Sequence, residues 1–358
     1  MQFFLAFFDC LGIVDVWHEL IMSPMSWIGI TLVFLALSAC GSAGQENSSS
    51  ISSAPRATNL HGEILFTRQG GKYGNETVFT ATANGTDVHR ISGFGKTCCP
   101  RLSPDGTKVS RAATAAESER PTTTIVRADG THPQTMPIRD PTLNLGCGVW
   151  SPDGKQLACE GWDETNSERN GVYIADVPDG TNRVRVTRNP LGTTDLPQDF
   201  SPDGSRIVFL RAEPVEDALF GSLYVVNVDG TGLRRITPPG SHIQTARWSP
   251  DGEWIVFGST GSTPGNVIEV VRPDGTGQKK IFEDPDFGGS AITPTWSPDG
   301  NKIMFALIGN SEYSNPEDQM NNKLCVINED GKGLAVVLDT PDFKRLADWA
   351  VKIGPPSK

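Results

Sequence analysis

The tetrapeptide Ser-Pro-Asp-Gly occurs five times, beginning at Ser103, Ser151, Ser201, Ser249 and Ser297, at spacings of 48, 50, 48 and 48 residues. A period of that length marks stacked supersecondary units, none of which can bury its apolar face alone. A large apolar residue precedes each copy (Leu102, Trp150, Phe200, Trp248, Trp296), and a short β-type run follows, as in Ile207-Val208-Phe209 and Ile255-Val256-Phe257. Pro sets φ at the first corner, Asp bonds locally at the second, and Gly takes the positive φ that closes a tight hairpin.

A second signature interleaves with the first: a β-rich run, an Asp-Gly or Asn-Gly turn, then another short strand, with turn glycines at Gly85, Gly130, Gly180, Gly230, Gly275 and Gly331. Each unit therefore holds four antiparallel strands A to D, joined A to B by Ser-Pro-Asp-Gly and C to D by Asp-Gly, the pattern of a β-propeller blade. Six C-D units but five A-B turns mean that one blade lacks a covalent A-to-B link. His61-Gly62-Glu63-Ile64-Leu65-Phe66 reads as a strand B and Leu346-Ala347-Asp348-Trp349-Ala350-Val351 as a strand A. The expected fold is an all-β, six-bladed propeller over residues 60–353, closed by the C-terminal strand pairing with the N-terminal blade, with residues 354–358 as a tail.

Trp-Ser-Pro-Asp-Gly followed by Ile-Val-Phe, then an Asp-Gly-Thr-Gly turn and a strand ending in Ile-Thr, resembles the TolB-like (WD40-like) β-propeller repeat family. The blade around Ser103 is the most divergent, with Leu102 for Trp and Arg111 where Phe is expected. The namesake protein carries an N-terminal α/β domain, for which a 19-residue stretch before this propeller leaves no room. The resemblance implies a bacterial envelope protein that acts by binding other proteins.

Ahead of the repeats, residues 27–39 (WIGITLVFLALSA) have the length of a signal-peptide core and are too short to span a bilayer. They run into Leu37-Ser38-Ala39-Cys40-Gly41, which resembles a lipobox, so residues 1–39 are expected to be a signal peptide and Cys40 the lipidated residue; an ordinary cleaved signal is the alternative. No Lys or Arg occurs in residues 1–40, whereas Asp9, Asp15 and Glu19 do. A start at Met22 or Met25 accounts for this, with residues 1–21 a mis-called start; a second membrane-associated segment at 1–14 is the alternative. Residues 41–59 are Ser-rich and nearly devoid of apolar side chains, a tether from Cys40 that cannot form a core. In the family's terms, the absence of Asp after Cys40 favours the outer membrane, so the expected location is the periplasm-facing outer membrane or the cell surface.

Residues that carry chemistry are sparse. No Gly-x-Ser-x-Gly elbow is present. The histidines after the leader, His61, His89, His132 and His242, lack paired spacing; His242, before a strand A, lies nearest a channel mouth. The Asp-Gly segments at Asp179 and Asp229 lack the rest of a calcium loop. No catalytic residue, cofactor or metal is assigned. Of seven cysteines, Cys159 and Cys325 align with Phe209 and Tyr224 as core fillers. Cys99 and Cys147 fall on equivalent innermost strands of adjacent blades and are the candidate disulfide, with Cys98 competing for either partner.

The net charge of −11 excludes a basic stripe for nucleic acid or anionic lipid, leaving the lipid as the membrane contact. Strand order puts the tight A-B and C-D turns on one face of the disc and the longer B-C and D-A loops on the other, where function usually resides. Those loops concentrate Asp163, Glu164, Glu213, Glu216, Asp217, Glu283, Asp284, Asp286 and Asp342. They read either as a solvated rim or as a surface for an envelope protein with a basic segment. The expectation is a monomeric, non-enzymatic binding module. The alternative is an envelope hydrolase or lyase acting on carbohydrate or peptide with carboxylates and a divalent ion at the channel mouth.

Overall fold

A computed structural model of the chain describes residues 54–69, 77–91, 98–114, 121–215, 218–260, 266–283, 290–308, 322–340 and 342–353; Cys40 and the leader lie outside them. Among these residues are six four-stranded antiparallel sheets and one short 3-10 turn at Ser167–Arg169, and no helix long and apolar enough to cross a membrane.

Blade one consists of β24 (Phe343–Ala350), β1 (Glu63–Gln69), β2 (Thr77–Thr82) and β3 (His89–Arg90). Blade two is β4 (Cys98–Leu102), β5 (Lys108–Thr114), β6 (Pro121–Arg127) and β7 (Gln134–Met136), and blade three β8 (Leu143–Trp150), β9 (Gln156–Asp163), β10 (Gly171–Asp176) and β11 (Val184–Arg185). Blade four runs β12 (Thr194–Phe200), β13 (Arg206–Val215), β14 (Ala218–Asn227), β15 (Arg234–Arg235); blade five β16 (His242–Trp248), β17 (Ile255–Thr260), β18 (Asn266–Val271), β19 (Lys279–Phe282). Blade six is β20 (Ser290–Trp296), β21 (Lys302–Ile308), β22 (Asn322–Asn328) and β23 (Ala335–Asp339). This is the six-bladed propeller that the repeats predict.

The repeat residues act as the turn chemistry requires, and Ser has a larger part than the sequence reading gave it. Ser201 Oγ donates to Asp203 Oδ1 at 2.5 Å and accepts the Arg206 N–H at 2.9 Å. The other four copies repeat both bonds. One side chain thereby fastens both sides of the hairpin. The C-D glycines serve the contact between blades as well as the turn. Gly331 has φ +82°, and a Cβ on it would lie 2.6 Å from the Ile281 carbonyl oxygen of blade five, so any side chain would push the blades apart.

The core lies between neighbouring blades. Val149, Ala158, Val172 and Ile174 of blade three pack with Phe200, Ile207, Phe209 and Val226 of blade four. Phe66, Phe209, Phe257 and Phe305 occupy one repeat position and are all fully buried. Blade two has Arg111 there, half-buried, its guanidinium pKa lowered by that burial.

Ring closure follows the same register. Trp349 of β24 faces Ile64 of β1, as Trp248 faces Ile255 and Trp296 faces Ile303. Trp349 is buried, and its indole N–H donates to the His61 carbonyl at 2.9 Å.

The disulfide expectation is corrected. Cys147 of β8 is directly paired with Cys159 of β9, and the bridge joins these two, Cα–Cα 3.9 Å apart. Cross-strand neighbours in register meet within a blade. What blade two offers Cys147 is Thr123, whose hydroxyl accepts the Cys147 N–H at 3.0 Å. The Cys98 and Cys99 side chains lie outside the described residues. Cys325 is the buried free thiol expected of a core filler, and burial pushes its pKa up to about 12.

Candidate functional site at the channel mouth

Each A-B pair carries a register shift in strand A, immediately before the position two residues ahead of Ser, or of its equivalent Ala350 in blade one, in every blade but the fifth, where it falls one residue earlier. Bulges of this kind bend a strand and re-aim a side chain. The residues at that position are Asp348, Arg101, Val149, Asp199, Arg247 and Thr295, going round from blade one to blade six. All but Val149 line a cavity of about 230 Å³ whose wall also includes Trp248, Trp296, Trp349 and the prolines Pro202, Pro250 and Pro298 of the A-B turns. The cavity is therefore a cup opening on the turn face.

The charged residues follow an approximate two-fold pattern. Asp348 Oδ2 accepts the Leu102 N–H of the next blade at 2.6 Å, and Asp199 Oδ2 accepts the Trp248 N–H of its next blade at 2.9 Å. In each case the donor amide belongs to the residue after an arginine, Arg101 or Arg247. Arg101 reaches across from blade two: its guanidinium stands 3.5 Å from Asp348 Oδ1 and 3.6 Å from Asp199 Oδ1, and donates to the Gln198 carbonyl at 3.1 Å. Arg247 donates to the Ala246 carbonyl at 3.0 Å. Burial raises the Asp199 pKa, with Arg101 and Arg247 opposing the rise. Burial, then repulsion from Arg101, lowers that of Arg247 to about 10. Two carboxylates and two guanidiniums thus share one partly dry cup, and each Oδ1 contacts Arg101 beyond hydrogen-bond length.

Sequence reasoning looked to the opposite face and missed this ring. Its signal was available as a column through the repeats: charged residues at one fixed distance from Ser, or from Ala350, in four of the six strands A.

On the loop face the structure divides the acidic set. Asp163 is buried; its pKa is lowered first by the Thr165 hydroxyl and then by that of Thr142, and Arg169 lies 2.7 Å from it. Arg169 also pairs with Asp140 at 2.5 Å. Asp342 is buried between Lys344 at 2.7 Å and Arg68 at 3.2 Å. These two carboxylates are corrected from exposed binding groups to internal ion pairs, because a carboxylate taken from water requires a partner. Glu164 and Glu213 are exposed, and Glu283 is half-buried beside Lys280 at 2.6 Å. Glu216, Asp217, Asp284 and Asp286 lie outside the described residues.

Among the described residues no group of three or more His, Cys, Asp or Glu is arranged to hold a metal ion. His89 faces Asp87 at 2.8 Å, and the His242 side chain lies outside the described set.

Three comparisons bear on this architecture. The chain is 36% identical over 81 residues to the Tol-Pal system protein TolB of Syntrophus aciditrophicus (strain SB), a match that covers 22% of this chain and 17% of that protein. The chain spans less than half the length of the curated relatives it matches. The crystal structure of TolB from Acinetobacter baumannii superposes with a TM-score of 0.56 at 17% identity, covering 80% of this chain and 63% of that one. An oligogalacturonate lyase from Vibrio parahaemolyticus superposes with a TM-score of 0.52 at 16% identity, covering 80% and 78%. At those identities the likeness to solved structures is one of fold, which binding proteins and enzymes share. The family model for the TolB beta propeller domain matches residues 112–323, more than half of the sequence, and the chain belongs to that family.

Proposed function

We propose that the protein is a non-enzymatic protein-binding or scaffold module of the bacterial cell envelope, anchored by lipid on Cys40 and facing the periplasm or the cell exterior. Membership of the TolB beta propeller domain family supports the binding role and the envelope location. The Cys147–Cys159 disulfide suits an oxidising compartment. One observation carries the reading. Two carboxylates converge on the channel mouth, each with Oδ2 fixed by a backbone amide and Oδ1 standing 3.5 or 3.6 Å from Arg101. They suit donors from a basic side chain, which hydrogen-bonds a carboxylate at about 2.7–2.9 Å. The partner is an envelope protein whose basic segment seats on the turn face and inserts one side chain into the cup.

The test is crosslinking capture from native envelopes with the lipidated full-length chain, compared with Asp199→Asn and Asp348→Asn, both of which keep an acceptor for the backbone amide. Loss of a charge-assisted bond worth about 1.5–3 kcal/mol weakens capture by roughly tenfold to a hundredfold. Capture that survives both substitutions but fails on joint reversal of Glu164, Glu213 and Glu283 to Lys moves the site to the loop face and overturns the cup. Turnover of an envelope carbohydrate or peptide that depends on an added divalent ion overturns the non-enzymatic reading.

A further inference from the structure

Blade six differs from the others at its outer edge. The outermost strands β3, β11, β15 and β19 each carry Lys or Arg (Arg90, Arg185, Arg234, Arg235, Lys279, Lys280), and β7 presents exposed Gln134 and Thr135. Such residues keep an unpaired edge from adding another strand, because like charges placed opposite one another repel. The sixth outermost strand, β23, is five residues long, and its centre is Val336-Val337-Leu338. It has no Lys or Arg.

This unguarded edge is covered from within the chain. Arg56 forms a parallel bridge with Val336: the Ala57 N–H donates to the Val336 carbonyl at 2.7 Å, and the Val336 N–H donates to the Pro55 carbonyl at 2.8 Å. Ala57 and Leu60 are buried against Val337 and Leu338. Asn84, in the C-D turn of blade one, clasps Leu60 by accepting its N–H at 2.9 Å and donating to its carbonyl at 3.2 Å. Among the described residues the cover consists of one bridge, two buried apolar side chains, the Asn84 clasp and a bond from Arg56 Nη1 to the Val337 carbonyl at 3.4 Å, few enough contacts to open at low free-energy cost.

We propose that Pro55–Ala57 is a displaceable cover strand, and that the edge it covers is a self-association site: once the cover lifts, β23 pairs antiparallel with β23 of a second copy of this chain. The occupant is a second copy because an antiparallel edge is self-complementary about a two-fold axis. In register about Val337, Ala335 of one copy meets Asp339 of the other, so no like charges oppose, whereas the same pairing of β15 sets Arg234 against Arg235. The covered chain is a monomer and the uncovered chain a dimer, a property separate from the cup on the turn face.

Ala57→Pro removes the N–H that donates to Val336, and Leu60→Ser loosens the same segment without altering its backbone. Light scattering coupled to size exclusion should give one chain mass for the parent protein and a concentration-dependent rise to two for either variant. A synthetic peptide of residues 54–60 should return the variants to monomers by refilling the edge. Folded variants that stay monomeric at every accessible concentration overturn the proposal. So does a dimer that the peptide leaves intact, or a parent protein that dimerises equally well. If Ala57→Pro fails to fold, Leu60→Ser decides the matter by the same readings.

Discussion

Arg211 and Asp195 show what a buried charge does in this molecule. The guanidinium makes two bonds to the carboxylate, at 2.7 and 2.8 Å, the Thr187 hydroxyl adds a third at 2.6 Å, and Phe209 and Tyr224 lie against the cation. Both side chains are almost wholly out of water. Removing one partner strands the other, a loss of about 3–5 kcal/mol. Arg211→Ala should lower the thermal midpoint far more than the double replacement Arg211→Met with Asp195→Leu, as read by calorimetry of the single and double variants. At this scale the sequence was least legible. Asp163 ends β9 and Asp342 precedes β24; nothing along the chain reveals that Arg68 comes to Asp342 from β1, or that the nearby Arg169 and Lys344 fold back onto these carboxylates. Cys147 was misread for the same reason, since its partner is set by cross-strand register. Lys344 is the extreme case: fully buried, it donates to the carbonyls of Asn322, Thr340 and Asp342 at 2.7–2.8 Å. Desolvation lowers its pKa although Asp342 opposes the change.

The elements were the most legible level, because a four-residue turn encodes its own geometry. Ser, Pro, Asp and Gly each meet a local requirement, so five copies locate five hairpins without tertiary information. The Asp residues that close these turns also tie stability to pH. Hydroxyl donors from Ser or Thr hold Asp129, Asp153, Asp179, Asp229, Asp274 and Asp299 below the usual carboxylate range, and Ser201 brings Asp203 down to about 2. A carboxylate with a depressed pKa in the fold stabilises it fully above its unfolded value near 3.8 and ceases to do so as pH falls through the folded value. The melting temperature should hold constant from neutral pH to about 5 and then drop between about pH 4 and 2. Ser201→Ala should lessen that drop by removing the first of the bonds that hold Asp203 down, those from Ser205 remaining. A melting curve insensitive to acid over this interval contradicts the assignment. The bulge in strand A was not legible, since the slip it puts in the alternation of burial, as along Thr194–Phe200, spans too few residues to stand out from residue types alone.

At the scale of the whole molecule, the count of six second turns against five first turns sufficed to place both chain ends in one blade. Trp349 is the residue on which that closure turns, buried in a cluster with Ile64, Phe66, Val337 and Leu338. Trp349→Ala should cost about 3–5 kcal/mol, as large aromatic truncations do. Its midpoint in denaturant should fall by as much as that of Trp248→Ala, which sits at a junction without chain ends. A much smaller shift would mean that the last strand is only loosely held. The cup left its trace in the repeats only as a column of positions whose charge changes from blade to blade, which a search for what the blades share passes over.

At the seam, Gly62 stands so close to the end of β24 that a Cβ on it would lie 2.2 Å from the Ala350 carbonyl oxygen. The two sides of the cut meet there as the two sides of a Ser-Pro-Asp-Gly hairpin meet elsewhere. The circle therefore has no privileged origin. A gene that opened at β17 and ended at β16, with a hairpin written across the present cut, would encode the same set of contacts in rotated order. What the present origin adds is a leading segment that passes over the junction of blades six and one, where a rotated chain would carry nothing.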